Sequence, residues 1–168
     1  MNKVIQLSRE FTKNIGNPHY AEYWPEMSVQ LEQFDLSNIA WISIHEPWDF
    51  KTNRKTVELP HIQNDNIKGP KLEMRFWDII EDEVMKDGTP VYAPTMDDAK
   101  KIVDFILEHS DKNVLVNCAM GVSRSSAVAQ FCEDTLRYEW NEYTKQFAVP
   151  NVHLLKLMND YYTSLSPI

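Results

Sequence analysis

The stretch NVLVNCAMGVSRSSAVAQF, residues 113–131, decides how this chain is read. Val114, Leu115 and Val116 form a short apolar run of the kind buried in a parallel sheet. The run stops at Asn117 and Cys118, and Ala119, Met120, Gly121, Val122 and Ser123 then separate Cys118 from Arg124. Ala127, Val128, Phe131 and Leu136 recur at helical spacing, which predicts strand, turn and helix in that order, with Cys118 at the strand end. The first N–H groups of a helix lack an intrahelical partner and lie along a favourable dipole. A loop in that position binds a dianion and favours the thiolate of a cysteine set within it. Arg124 adds a planar fork that can grip two phosphate oxygens. The turn is read as a phosphate cradle formed by Ala119, Met120, Gly121, Val122, Ser123 and Arg124.

Taken together, Cys118 to Ser125 resemble the Cys-x5-Arg-Ser/Thr motif of the protein tyrosine phosphatase superfamily, and the small chain is similar to its dual-specificity branch. The resemblance is strongest from about Ile39 to Tyr138. It implies a thiolate nucleophile at Cys118, an Arg124 that holds the equatorial oxygens, and a Ser125 hydroxyl that assists release of a phosphoenzyme. The family usually carries His before the Cys, whereas this chain has the uncharged Asn117, assigned a supporting role in ordering the loop.

The 168 residues, 43% hydrophobic and 25% charged, suit a single globular domain spanning 1–168. A formal net charge of -8 without a basic stripe argues against a nucleic-acid partner, because phosphate backbones are bound through clustered Lys and Arg. The start, MNKVIQLSREF, lacks the apolar core of a signal peptide, and no run approaches membrane-spanning length. The expectation is a cytoplasmic protein without a membrane partner, a monomer in preference to an oligomer. Two cysteines make no disulfide framework, and Cys132 lies eight residues after Arg124, about 12 Å along a helix and beyond the roughly 7 Å Cα limit for a bridge to Cys118. Cys132 is read as core. His19, His45, His61, His109 and His153 are scattered, so no zinc site is expected and no cofactor is implied.

Outside the cradle, Val4 to Leu7 and Ile39 to Ile44 read as strands, and Leu72, Met74 and Phe76 alternate with Glu73 and Arg75 as a strand with one buried face. Residues 8–37 read as loop and short helix whose Tyr20, Tyr23 and Trp24 are packing groups. Residues 45–70 read as a surface excursion that shapes substrate access. IIEDEV, residues 79–84, carries weak helical spacing, and residues 86–94 read as a loop. Thr95 with Asp98 predicts a capping box before a helix through Ala99, Ile102, Val103, Ile106 and Leu107. The helix from Arg124 is expected to reach about Trp140, and a last helix to run from Asn151 to about Tyr162. The order predicts an α/β fold: a mostly parallel sheet of four to five strands flanked by helices, the phosphate loop between a strand and a helix.

A phosphate ester also needs a proton on its leaving oxygen. Asp78, just past the end of one strand as Cys118 is past another, is the first candidate acid, with Asp82 and then Asp87 behind it. Trp77 before Asp78 is similar to the Trp of the Trp-Pro-Asp loop in tyrosine-specific relatives, without the Pro. Asp78 with Glu81 also fits a helix cap. The function implied is a cysteine-dependent phosphatase acting on phosphorylated protein or small phosphoester substrates through a phosphocysteine. The competing readings are a pseudophosphatase module that binds phosphate without turnover, suggested by Asn117, and sulfur or arsenate chemistry. Lipid phosphatases of the superfamily the chain resembles often carry basic residues in this loop, so a loop without Lys tilts the substrate toward phosphoproteins.

Overall fold

The apolar runs at 39–44 and 114–116 are buried on both faces, and alternation decides which residue meets which layer. The computed structural model describes residues 1–48 and 60–165. Strands β1 (Lys3–Ser8), β2 (Ala40–His45), β3 (Lys71–Arg75), β6 (Val114–Cys118) and β7 (Glu139–Trp140) form an all-parallel sheet in the order β3-β2-β6-β1-β7. Val4, Ile42, Ile44, Val114 and Val116 point into one core, shared with α4 (Met96–Glu108), α5 (Arg124–Asp134) and α7 (Val152–Ser164). Their neighbours Ile5, Leu7, Trp41 and Leu115 point into the other, beneath α1 (Arg9–Lys13), α2 (Pro18–Tyr23) and α3 (Pro25–Leu31). A sheet covered on both sides explains why IAWISI and VLV read as unbroken apolar runs. β1, whose position in the sheet the sequence leaves open, is interior.

Two expected helices are absent or shorter. Residues 79–84 form no helix; Glu83–Val84 (β4) pairs antiparallel with Pro90–Val91 (β5). Asp87 accepts from the Thr89 N–H at 3.0 Å and Gly88 turns at φ 87°, so turn chemistry prevails over weak helical spacing. The cradle helix α5 ends at Asp134, not near Trp140: Arg137 adopts φ 64°, and the Tyr138 N–H returns to the Cys132 carbonyl at 2.9 Å. The chain is thereby turned into β7, where Trp140 Nε1 donates to the buried Gln6 Oε1 at 2.7 Å. Gln6 also accepts from Thr144 Oγ1 at 2.7 Å, fixing the short helix α6 (Glu142–Lys145) beside β1. A lost turn of helix is offset by satisfying a buried amide.

The Thr95–Asp98 capping box is present in both directions, and Ala99, Ile102, Val103 and Ile106 are buried. Asn151 caps α7 through Leu154 N–H at 2.9 Å and lies just outside the helix, which continues to Ser164. Tyr20 packs against Phe11 with ring centroids 5.8 Å apart, whereas Tyr23 and Trp24 are exposed, contrary to their reading as packing groups. Of the excursion at 45–70, residues 49–59 lie outside the described residues; its end is bound to α1, Asn64 Nδ2 donating to the Thr12 and Ile15 carbonyls, both at 2.9 Å. Among the described residues no helix is long and apolar enough to cross a membrane.

Leu115→Ala, at a fully buried sheet position, is expected to cost about 3 kcal/mol of unfolding free energy through the cavity it leaves. Loss of the cap in Thr95→Ala is expected to cost about 1 kcal/mol. Urea denaturation of both variants checks the order, which comparable losses would contradict.

Candidate phosphate-binding site

The carboxyl ends of the parallel strands meet along one edge of the sheet, where open α/β folds gather functional groups. β6 ends at Cys118 and α5 begins at Arg124, so residues 119–123 form the predicted turn between them. Gly121 makes the turn possible. It lies at φ 71°, and a Cβ there would stand 2.5 Å from both Leu7 C and Ser8 N. The Arg9 N–H donates to the Ala119 carbonyl at 3.2 Å, seating the loop on the end of β1. On the other flank, the Val149 and Asn151 N–H groups bond the Val122 and Ser123 carbonyls at 2.9 and 3.1 Å.

Cys118 is 2% exposed, and its Sγ lies 3.1 Å from Ser125 Oγ, the hydroxyl one position after Arg124. Arg124, 4% exposed, donates through one terminal nitrogen to the Phe76 carbonyl at 2.8 Å and places the other 3.5 Å from Glu46 Oε1. Its buried Nε has no hydrogen-bond partner among the described residues. A buried cationic donor left unpaired is costly, so this is a position that an anion would complete.

Asp78, exposed just beyond β3, reaches the same loop: its Oδ1 accepts from Ser123 Oγ at 2.7 Å and Asn151 Nδ2 at 2.9 Å. The other candidate acids are engaged in the hairpin, Asp82 with the Ala93 N–H at 2.9 Å and Asp87 with Thr89. With no helix after Asp78, its alternative reading as a helix cap with Glu81 does not hold. The chain thus brings Cys118, Ser123, Arg124, Ser125 and Asp78 together, while Asp82 bonds the backbone after β5 and Asp87 the hairpin turn. Met120 projects to solvent, 76% exposed, while Ala119 and Val122 are partly covered. Asn117 is fully buried and accepts from Trp41 Nε1 at 2.7 Å. It therefore braces β6 against β2. Cys132 is enclosed in the core, where burial pushes its thiol up.

Sequence reasoning missed the charged groups around Arg124. Glu46 follows β2 as Cys118 ends β6, and the same carboxyl-end rule would have found it. Its Oε2 pairs with Arg9 at 2.5 Å and its carbonyl accepts from Arg75 at 3.3 Å, so three guanidinium groups meet one residue. Burial raises the Glu46 carboxyl, but Arg124 and Arg9 outweigh it and hold the group below the usual range. Behind Glu46, His45 is buried with both ring nitrogens unpartnered among the described residues, its ring 4.2 Å from that of His61. Burial, with Arg9 and His61 adding, lowers the His45 pKa to about 3; burial also lowers that of His61.

No protein-family model matches the chain, and no curated protein matches it. Among solved structures, the chain is similar to the human tyrosine phosphatase-like serine/threonine/tyrosine-interacting protein, at 14% identity over 77% of this chain and 79% of that one, with a TM-score of 0.44. It is also similar to Tk-PTP in the active form, at 15% identity over 74% and 78% of the two chains and a TM-score of 0.38. A third is PTPMT1 in complex with PI(5)P, at 13% identity over 77% and 81% and a TM-score of 0.38.

Gly121→Ala is expected to cost about 1–2 kcal/mol from its left-handed conformation, and the collision with Leu7 and Ser8 to displace the loop. Inorganic phosphate should then raise the thermal midpoint of the parent and not of the variant; equal rises would refute the cradle geometry. For His45, the unfolded chain takes the proton near pH 6.5 and the folded one only near 3, so stability is whole above about 6.5 and is lost as pH falls through that window. Urea midpoints at pH 7.5 and 5 should fall further for the parent than for His45→Phe, and parallel falls would contradict it.

Proposed function

We propose that the chain is a cysteine-dependent phosphatase of phosphate monoesters, phosphotyrosine on proteins first among them. The observation that carries this reading is Arg124, buried in a Cys-x5-Arg turn with an unpartnered Nε beside a thiol that shares a contact with Ser125. A cation at a helix start opposes the dipole, and Glu46 meets one terminal nitrogen only, so the unpartnered Nε is where a further anion would bind.

Cys118 Sγ attacks phosphorus, forming the S–P bond as the ester P–O bond breaks. Arg124 and the turn's amides take the charge that develops on the equatorial oxygens. Asp78 gives its proton to the leaving oxygen, held in place by Ser123 and Asn151. Water then attacks the phosphocysteine and passes its proton to the Asp78 carboxylate. The S–P bond breaks, phosphate leaves, and the Ser125 hydroxyl stabilises the departing thiolate from 3.1 Å. Glu46 keeps Arg124 oriented throughout, with Arg9 holding the far carboxylate oxygen.

A second reading, phosphate binding without turnover, is favoured by one feature: the buried Asn117, which supplies no positive charge behind Cys118. Turnover of p-nitrophenyl phosphate separates the two. Cys118→Ser and Arg124→Ala are expected to abolish it, and Asp78→Asn to lower kcat by roughly 10²- to 10⁴-fold, the usual worth of a general acid. A parent protein that binds phosphotyrosine peptides but releases no phosphate between pH 5 and 8 would establish the binding module instead.

A further inference from the structure

Beside the cradle lies a second concavity that the proposed reaction does not use. It is a cavity of about 360 Å³ whose walls include Trp24, Met27, Met120, Val122, Tyr143 and Phe147; Gln6, Ser8 and Thr144 are its polar groups, and no charged side chain lines it. Trp24 is 50% exposed and Phe147 53%, so their apolar surface faces the opening and not the core. Grouped exposed apolar side chains of this kind indicate a contact to be made. The placement is specific. The sheet order sets β1 and β7 on one side of the cradle strand β6 and β3, which leads to Asp78, on the other. The cradle therefore sits between its acid and this cavity, and Met120 and Val122 serve as the wall between them. The Val149 N–H bond to the Val122 carbonyl keeps the segment carrying Phe147 in register with the loop.

We infer that this cavity is a specificity subsite that takes an apolar side chain, leucine or phenylalanine, lying near the phosphorylated residue of a polypeptide substrate. The inference rests on the phosphate-site reading above and extends it to the substrate class. The lining decides among ligands. A second phosphate or a nucleotide would need a cation there, and none is present in the wall. A bilayer would meet protruding side chains near basic residues, whereas here the apolar groups surround a concavity in a chain of net charge -8. A side chain inserting into a pocket next to the anchored phosphate fits both the shape and the continuity of the wall.

The test uses the full chain with Cys118→Ser, so that binding is read without turnover. The probes are phosphotyrosine peptides with a serine background and one leucine moved from four residues before to four after the phosphotyrosine. At one or more positions leucine should tighten binding about tenfold over the all-serine peptide, the scale of a well-filled apolar pocket. Adding Phe147→Asp or Trp24→Ala, both at half-exposed positions that the fold does not depend on, should reduce the preference to below about threefold. Equal affinity at every leucine position, or a preference that both variants keep, would overturn the subsite. So would an absence of leucine preference accompanied by binding to phosphatidylcholine vesicles that Phe147→Asp removes, which would make the patch a lipid-facing surface. Turnover by the unsubstituted protein is measured separately. A leucine preference without turnover removes only the catalytic reading, and turnover of an aryl phosphate without a leucine preference removes only the subsite.

Discussion

A guanidinium group buried at the edge of a sheet must be surrounded by acceptors, and in this chain Arg124 draws three segments toward the loop that carries it. Its bond to the Phe76 carbonyl fixes where the chain leaves β3, and its contact with Glu46 fixes where the chain leaves β2. Glu46 in turn engages Arg9 at the end of β1. Three strand ends are thereby tied to the first residue of α5 by charge-assisted contacts, which are short, directional and stronger where water is excluded. The Arg124 Nε alone is left without a partner in the guanidinium group among the described residues.

The loop itself depends on a steric condition, the contact of Gly121 with the backbone of Leu7 and Ser8. Backbone packing this close keeps the turn shallow and tight, and the Arg9 and Val149 N–H groups hold its two flanks. A turn held in this way keeps its backbone in one arrangement. Asp78 stands apart from that rigidity. It lies on an exposed segment between β3 and the small hairpin, joined to the loop through Ser123 and Asn151. Cys118 is thus built into the end of a sheet strand, whereas Asp78 is joined to the loop that follows it through two polar contacts.

The sequence by itself determined the strand–turn–helix unit, because Cys118, Gly121, Arg124 and Ser125 fall within eight residues between an apolar run and a helical pattern. It also determined the two-sided sheet, through unbroken apolar runs, and the capping box of α4, through Thr95 and Asp98. Only the tertiary structure decided the rest. Arg9, Arg75 and Arg124 come from segments far apart in sequence, and no spacing along the chain announces that all three meet Glu46. Asp78 was separated from Asp82 and Asp87 by which carboxylate meets the loop and which caps a hairpin, a long-range matter. The end of α5 was decided by Gln6, whose buried amide is satisfied by Trp140 of β7 and by Thr144. Trp24 reads as a packing group, yet packing leaves it half-exposed beside the turn, with Phe147 lining the same cavity. Local interactions are written in neighbouring residues, whereas convergence of side chains depends on how the parallel crossovers bring strand ends together.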